Sequence, residues 1–317
     1  MTAAIGNIRY SLTGTNTPGW VKPSIYAQKI FNISPEDTPL FTMSGNIQAT
    51  DVTHHWWTRG LDARSSADAL MADGGDYTYK NIKEPVRLKN TCALLSRGVE
   101  ASLTATRGQY YAAGKLLSDQ LDLRSRDHKL SMEHLFWNGT ETEVGNNTVR
   151  CAAGILDFAA NYTTTTANYT SCAAGATFTE AFFNQGQQVL WSKGNMGKVS
   201  VQNATLRKTF ATFSGSADSV EDMANTRRRT NDVIYYQSAF GTTENVLSRD
   251  IPDNGSGATA DFIIYDPAYV HKAWYRMTER RKVETAGDYV RTAMVTELTF
   301  QYDEPDTIFY AKDVLAT

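Results

Sequence analysis

The feature that most constrains this chain is a long run of alternating side chains, YVRTAMVTELTFQYD, which ends at Asp303. Apolar and β-branched residues occupy every second position and define one face: Val290, Thr292, Met294, Thr296, Leu298, Phe300 and Tyr302. The other face carries Arg291, Glu297 and Gln301. Because successive side chains of a strand point to opposite faces, the run predicts one strand of about 14 residues, over about 40 Å long. Most strands have about 5–6 residues, so the chain must build an unusually long sheet.

A helical pattern of comparable length follows Gly108, in QYYAAGKLLSDQLDLRSRDHKLSMEHLFWNG. Its apolar positions form one stripe, which consists of Leu116, Leu117, Leu121, Leu123, Leu130, Met132, Leu135 and Trp137. The spacing predicts a single amphipathic helix about 40 Å long that stops at Asn138-Gly139. We expect the stripe to be buried, so that Leu123→Asp would abolish soluble folding.

Residues 48–100 are predicted to form a long hairpin with a large tip. Strand-like segments at 51–58 and 86–102 flank a polar stretch that contains the pair Gly74-Gly75. A connection of this length with little core of its own is unusual inside a compact domain. It therefore requires either a function or a partner surface.

The first strand of this hairpin contains THHWWTRGLD, which could be a metal site, a carbohydrate-stacking platform or an interface. Adjacent histidines of a strand point to opposite faces, so His54 and His55 cannot bind one metal without a bulge. The same alternation separates Trp56 from Trp57. We expect one face to pack on the chain's own domain and the other on a neighbouring copy. The candidate inter-subunit contacts are therefore His54, His55, Trp56, Trp57 and Arg59.

Several shorter elements are predicted before residue 214. We expect an extended arm at residues 1–23 and a short helix at 24–33. The sequence also indicates helix starts at Ser34 and Thr38. Further along, a helix with a capping box from Thr177 to Glu180 ends at Gly194. A short strand, KVSVQ, and a helix capped by Asn203 follow.

The remaining segments lie between the middle of the chain and the long strand. SGSADSVEDMANTRRRTN resembles a solvated loop, and two strands are predicted around Gly241. ADFIIYDPAYVHKAW predicts a buried strand followed by a helix, with Asp266 as its cap and Pro267 at its first position.

Composition and motifs argue against an enzyme. The net charge is −3, and Arg227–Arg229 is a compact basic run. None of the three cysteines lies in a CxxC motif, and His128 and His134 lie on opposed helix faces, so neither a disulfide framework nor a metal site is indicated. No signal peptide or membrane span is expected. Nucleotide-binding, nucleophile-elbow and paired-carboxylate motifs are absent, so we expect no catalytic residues, no cofactor and no metal.

An ordered set of segments resembles the tailed-bacteriophage major capsid proteins with the HK97-type fold. The segments are NISPEDTPLFTMSG, HHWWTRGLDA, LSRGVEASLTATRGQYYAAGKLLSDQL, MEHLFWNGT, RCAAGILDFAAN, SAFGTTENVLSRDI, IIYDPAYVHKAWYR and MVTELTFQYDEPD. Together they span nearly all of 24–310. The resemblance is weakest over 60–86 and 214–232.

The resemblance implies an α+β fold built from five segments. They are an N-terminal arm (1–47), an extended β-hairpin loop (48–100), a peripheral domain whose first part carries a spine helix (101–150), an axial domain (151–262), and a second peripheral part with a long strand (263–317). It also implies hexamers and pentamers of an icosahedral shell around double-stranded DNA, assembled in the host cytoplasm.

The resemblance also implies partners. Fewer than fifty residues precede the loop, so any scaffolding protein is expected to be a separate chain. The other expected partners are a portal, a decoration protein and non-specifically packaged DNA. Lys80 and Lys83 lie near the loop tip, but no acceptor Asn or assisting Glu is identified, so isopeptide crosslinking is not expected. The alternatives are a carbohydrate-binding decoration or tail protein that uses Trp56 and Trp57, and, further behind, a metal-dependent hydrolase that uses His54 or His55.

Overall fold

A computed structural model describes residues 38–61, 70–77, 79, 81–107, 116–142, 149–162, 169–171, 176–213, 219–223, 226–230, 235–253, 259–284 and 287–316. Most of the expected arm, the predicted helix at 24–33 and the loop segment 62–69 lie outside these residues. The helices are α1 (Pro39–Met43), α2 (Leu103–Arg107), α3 (Leu116–Asn138), α4 (Ile155–Tyr162), α5 (Glu180–Ser192) and α6 (Ala204–Phe210). The strands are β1 (Gly45–Gln48), β2 (Thr53–Thr58), β3 (Val86–Thr91), β4 (Ala93–Ser102), β5 (Tyr169–Ser171), β6 (Val199–Gln202), β7 (Ser219–Met223), β8 (Thr226–Thr230), β9 (Tyr235–Ser238), β10 (Gly241–Leu247), β11 (Thr259–Tyr265), β12 (Val270–Val283), β13 (Tyr289–Tyr302) and β14 (Ile308–Leu315).

Two strands of 14 residues each dominate a four-stranded sheet with the order β1-β12-β13-β4. The second of them, β13, is the long strand that the alternation predicts, and the prediction is confirmed. It pairs antiparallel with both β12 and β4. Its buried positions from Thr292 to Tyr302 include every second residue, as a strand with one face on a core requires.

The other long strand, β12, occupies a segment where a helix was predicted, and that prediction is wrong. Asp266 does cap a turn, because its Oδ1 accepts a hydrogen bond from the amide of Ala268 at 3.0 Å. However, the turn is a single 3-10 turn over Pro267–Tyr269, and the chain then extends. Pairing with β13 on one side and with β1 on the other stabilises the extended form.

The second half of α3 packs against the sheet as a spine. Phe136 stacks on Phe300 at 4.0 Å between ring centroids, and His128 lies 2.7 Å from the hydroxyl of Thr296. The buried residues of α3 are His128, Met132, Glu133, Phe136 and Trp137. The helix itself is confirmed over its described residues, whereas the predicted start at 109–115 lies outside them.

The prediction that Leu123 is buried is wrong, because its side chain is 42% exposed in the chain. It lines an open groove between α3 and β4, next to Val99 and Asp127. The buried residues of α3 all lie between His128 and Trp137, where the helix also contacts Leu40 of α1 through Glu133. The apolar stripe therefore extends beyond the buried part of the helix.

Leu123→Asp is consequently expected to fold. A half-exposed side chain at the edge of a groove contributes about 1 kcal/mol or less to the free energy of unfolding. Met132→Asp, on the same helix but 6% exposed, should place a carboxylate in the core and prevent soluble folding. Soluble yield and circular dichroism of both variants test the pair; insoluble Leu123→Asp would contradict this placement of the buried face.

A second, six-stranded sheet has the order β5-β14-β11-β6-β10-β9. Its core is aromatic, with Phe178, Phe183, Phe210 and Phe262 in contact. The strands predicted at KVSVQ and around Gly241 are confirmed.

The helix caps beside this sheet are partly as predicted. The amide of Leu206 donates to Oδ1 of Asn203 at 3.0 Å, which confirms that cap. The helix α5 is capped by Thr179 rather than by a box starting at Thr177, because Thr179 Oγ1 accepts from the amide of Phe182. Gly194 follows the helix end with φ of +92°, a conformation that favours glycine.

The predicted loop at 214–232 contains a hairpin, so that prediction is corrected for the described residues. Strands β7 and β8 pair antiparallel, and the register places Glu221 opposite Arg228 and Asp222 opposite Arg227. The arginine run Arg227–Arg229 is therefore part of a strand and not of a loop.

Three strands pair across the boundaries expected from the sequence. The strand β1, most of which falls in the expected arm 1–47, pairs parallel with β12. The strand β4, most of which falls in the expected loop 48–100, pairs with β13. The strand β14, within 263–317, joins the six-stranded sheet between β5 and β11.

Candidate inter-subunit surface

The strands β2 and β3 form a two-stranded antiparallel hairpin that is separate from the four-stranded sheet. Its register pairs Thr53 with Thr91, Trp56 with Leu88 and Thr58 with Val86. A two-stranded hairpin is marginally stable by itself in water. Side chains on one of its faces must therefore attach it to the body.

Trp56 provides the main attachment on the inner face. Its side chain is only 6% exposed, and its Nε1 donates a hydrogen bond to the carbonyl oxygen of Tyr302 at 2.9 Å. Its ring lies 6.0 Å from Phe158 and 5.8 Å from His54 between centroids. His54 in turn contacts Gln301, with Nε2 and Oε1 2.6 Å apart. The face that carries His54 and Trp56 is thus part of the chain's own core.

Asn90 is a second attachment, which the sequence reasoning missed. It is fully buried, and its amide nitrogen donates to the carbonyls of Ala153 and Phe300 at 3.1 and 2.9 Å. Its Oδ1 accepts from the amide of Ala153 at 2.9 Å. One side chain thus satisfies three backbone groups of two other segments. The available signal was an asparagine inside an otherwise strand-like run.

Cys92 marks the junction between the hairpin and the long sheet. The segment 86–102, predicted as one strand, divides there into β3 and β4. The amide of Cys92 donates to Val52 at 2.7 Å, and burial raises the pKa of its thiol to about 12. Among the described cysteines, Cys92 and Cys151 are free thiols, while Cys172 lies outside the described residues.

The outer face of the hairpin is open. Trp57 is 64% exposed, and His55 and Arg59 are also exposed. Thr58 holds the end of β2 to the body by donating a hydrogen bond to Glu304. The expected separation of the two faces is confirmed, because His54 and Trp56 pack on the chain's own core while His55, Trp57 and Arg59 lie on the open face. The last three remain candidate inter-subunit contacts.

Large apolar side chains continue along the described part of the loop. Each is more than half exposed: Trp57, Leu61, Leu70, Met71, Tyr77, Tyr79, Ile82 and Val86. An accumulation of exposed apolar side chains on one protrusion is typical of a surface that another protein covers. We call these eight side chains the loop surface. Lys83 donates to the carbonyl of Leu61 at 3.4 Å, and Lys80 lies outside the described residues.

The structure gives little support to the two alternatives for THHWWTRGLD, a carbohydrate-stacking platform and a metal site. Trp56 and Trp57 lie on opposite faces, so they form no shared stacking platform. Within the described ranges, no group of three or more histidine, cysteine or acidic side chains could hold a metal ion. His128 is buried against Thr296, and His134 contacts Asp250 at the surface. No helix in those ranges is long and apolar enough to cross a membrane.

The chain has the HK97-like capsid fold, an α+β fold that combines a spine helix, a sheet with two long antiparallel strands and a separate two-stranded hairpin. A chain from Gordonia phage Cozz has the same fold, with a TM-score of 0.55, 14% identity, and coverage of 91% of this chain and 90% of that one. The capsid of an empty GTA particle gives a TM-score of 0.58 at 12% identity, covering 91% and 94%. The holo-SrpI encapsulin complex from Synechococcus elongatus PCC 7942 gives 0.55 at 11%, covering 91% and 93%.

The chain belongs to the SU10 major capsid protein family, whose model matches residues 9–314. It is also similar to the major capsid protein of Escherichia phage Phieco32, with 28% identity over 116 residues. That match covers 36% of this chain and 32% of the relative, so it spans about a third of the relative's length.

Proposed function

We propose that this chain is the repeating shell subunit of a tailed bacteriophage head, assembling into hexamers and pentamers of an icosahedral capsid around double-stranded DNA. The observation that carries the proposal, beside the family membership, is the loop surface. Two of its eight large apolar side chains, Trp57 and Val86, lie on the β2–β3 hairpin, which is attached to the body through one face, and the other six lie in the connection between these strands. A second copy of the chain would cover them.

We infer that assembly is driven by many contacts between subunits, each of which contributes a small free energy. Burying an apolar side chain contributes about 25 cal/mol per Å² removed from water. A protruding loop lets each subunit hold a neighbour while its own core stays intact, and repeated contacts reinforce one another. His55, Trp57 and Arg59 are the hairpin residues that we place at this contact.

The two sheets supply the other parts of the proposed shell. We assign α3 and the four-stranded sheet to the peripheral domain, and most of the six-stranded sheet to the axial domain at the capsomer centre. The net charge of −3 suits a wall that encloses DNA without binding a particular sequence. Further proposed partners are a separate scaffolding protein, a portal and a decoration protein. We place assembly in the host cytoplasm and expect the chain to have no catalytic activity.

The test is electron microscopy and sedimentation of the purified chain, with and without a co-expressed scaffold. Closed shells or hexameric rings would support the proposal. A matched variant joins Thr58 directly to Val86 through Asn-Gly, because these two residues face each other and a two-residue turn closes such a pair. This variant should fold but not assemble. A chain that stays monomeric and binds glycans would contradict the proposal and favour the carbohydrate-binding alternative.

A further inference from the structure

His128 joins the spine helix α3 to both long strands of the four-stranded sheet. The residue is 2% exposed, and its Nε2 lies 2.7 Å from the hydroxyl oxygen of Thr296 in β13. That oxygen lies 2.8 Å from the hydroxyl oxygen of Thr278 in β12. One imidazole is therefore linked through two hydroxyl groups to β13 and β12.

His128 also marks the boundary between two halves of the helix. Each residue from Leu116 to Asp127 is at least partly exposed, and Leu123 lines the open groove beside β4. The buried residues of the helix lie between His128 and Trp137. The first half of α3 is consequently held less firmly than the second, and His128 is the first buried contact after it.

The surroundings of the imidazole suit its neutral form. A neutral imidazole has one N–H donor, whereas the charged form has two. Among the described residues, the buried Nδ1 of His128 has no hydrogen-bond partner. In the charged form this nitrogen would be a buried donor without an acceptor, which costs free energy.

Charged groups around His128 also disfavour a proton there. The strand register places three basic positions on the sheet face that carries Thr296, one in β4 and two in β12: Arg97, Arg280 and Lys282. The register places three acidic positions of the same sheet on the opposite face: Glu100, Glu279 and Glu297. On the helix itself, the neighbouring Asp127 is paired with Arg124 at 3.2 Å. Burial lowers the pKa of His128, and the positive charge of Arg97 lowers it further.

We propose that His128 is a pH-sensitive lock between α3 and the long sheet. As a neutral imidazole it fastens the helix to β13 and β12, and on taking up a proton it releases the exposed half, Leu116 to Asp127, from β4. The release is a local opening, because Met132, Phe136 and Trp137 still hold the second half in the core. The lock lies within one subunit, so it does not depend on the proposed function.

The direction of the pH effect follows from the two states of the helix. Opening places the imidazole of His128 in water, where its pKa is about 6.5, whereas the pKa in the closed helix is lower. The closed state therefore binds fewer protons than the open state below about pH 6.5. Acid should favour opening by up to about tenfold per pH unit, until the imidazole of the closed helix is also protonated. Above about pH 6.5 the imidazole is neutral in both states, and the lock holds.

The test is hydrogen exchange of the α3 amides in unassembled subunits at about pH 7.5 and about pH 5.5. In the wild type, protection of the amides before His128, corrected for the intrinsic pH dependence of exchange, should fall by up to about tenfold at the lower pH. His128→Gln retains a group that can bond to Thr296 but cannot take up a proton, so this loss should disappear. His134→Gln is the matched control. It removes a histidine of the same helix whose side chain is 67% exposed, and it should retain the wild-type loss.

An equal pH-dependent loss of protection in the wild type and in His128→Gln would overturn the lock. If His128→Gln does not fold, an NMR titration of the His128 imidazole in the wild type decides the question. A midpoint below about pH 6.5, with helix opening that follows the same titration, supports the proposal, and a midpoint at or above that pH overturns it. Neither experiment measures shell formation, so failure of the lock leaves the proposed function intact.

Discussion

Trp57→Ala should leave the subunit folded and prevent or strongly weaken shell formation. The side chain is 64% exposed, so its removal should change the free energy of unfolding by no more than about 0.5 kcal/mol. An aromatic anchor buried at the centre of an interface is worth about 2 kcal/mol or more. The concentration needed for assembly should therefore rise about 30-fold. Light scattering against subunit concentration measures this, with urea unfolding of the unassembled subunit alongside.

Trp56→Ala is the matched comparison one residue earlier on the same strand. This side chain is 6% exposed and packs on Phe158, so its loss should cost about 3–5 kcal/mol of folding stability. The two adjacent tryptophans should thus separate folding from assembly. Equal loss of stability in both variants would show that Trp57 belongs to the core, and normal assembly of Trp57→Ala would remove it from the interface.

Asn90→Ala should destabilise the subunit by about 3 kcal/mol or more. It removes three hydrogen bonds and leaves buried backbone groups of Ala153 and Phe300 without that partner. The hairpin would also lose its attachment at the end of β3. The free energy of unfolding from a urea titration gives the size of the effect.

Asn46→Ala is the control for this prediction. Asn46 Oδ1 accepts a hydrogen bond from Trp274 Nε1 at 3.1 Å at an exposed position. Water can replace this partner, so the loss should stay below about 1 kcal/mol. If the two asparagine variants were equally stable, the network around Asn90 would not hold the hairpin.

The parts of the fold that local periodicity encodes could be predicted from the sequence. The strand β13 and the helix α3 each repeat their pattern over several turns or pleats, so the period identifies the element. The separation of Trp56 from Trp57 follows from the same alternation. Which face lies inward does not, because that depends on Phe158 and Tyr302, which are far away in sequence.

The errors arose where distant partners decide the structure. The Asp266-Pro267 pair begins a turn equally well before a helix or a strand, and only pairing with β13 and β1 selects the strand. The stripe of α3 repeats beyond the core, so spacing cannot show that Leu123 lies outside it. Glutamate side chains are usually exposed, so the sequence alone does not indicate that Glu133 is buried. Its burial depends on hydrogen bonds from the amides of Leu40 and Phe41.

The position of β14 has a consequence for the order in which the subunit is made. This strand follows all the other strands in the sequence, yet it lies between β11 and β5 inside the six-stranded sheet. Among the described strands only β14 pairs with β5, so β5 cannot join this sheet until residues 308–315 have left the ribosome. The folding of the six-stranded sheet therefore depends on the last strand of the described chain to be synthesised.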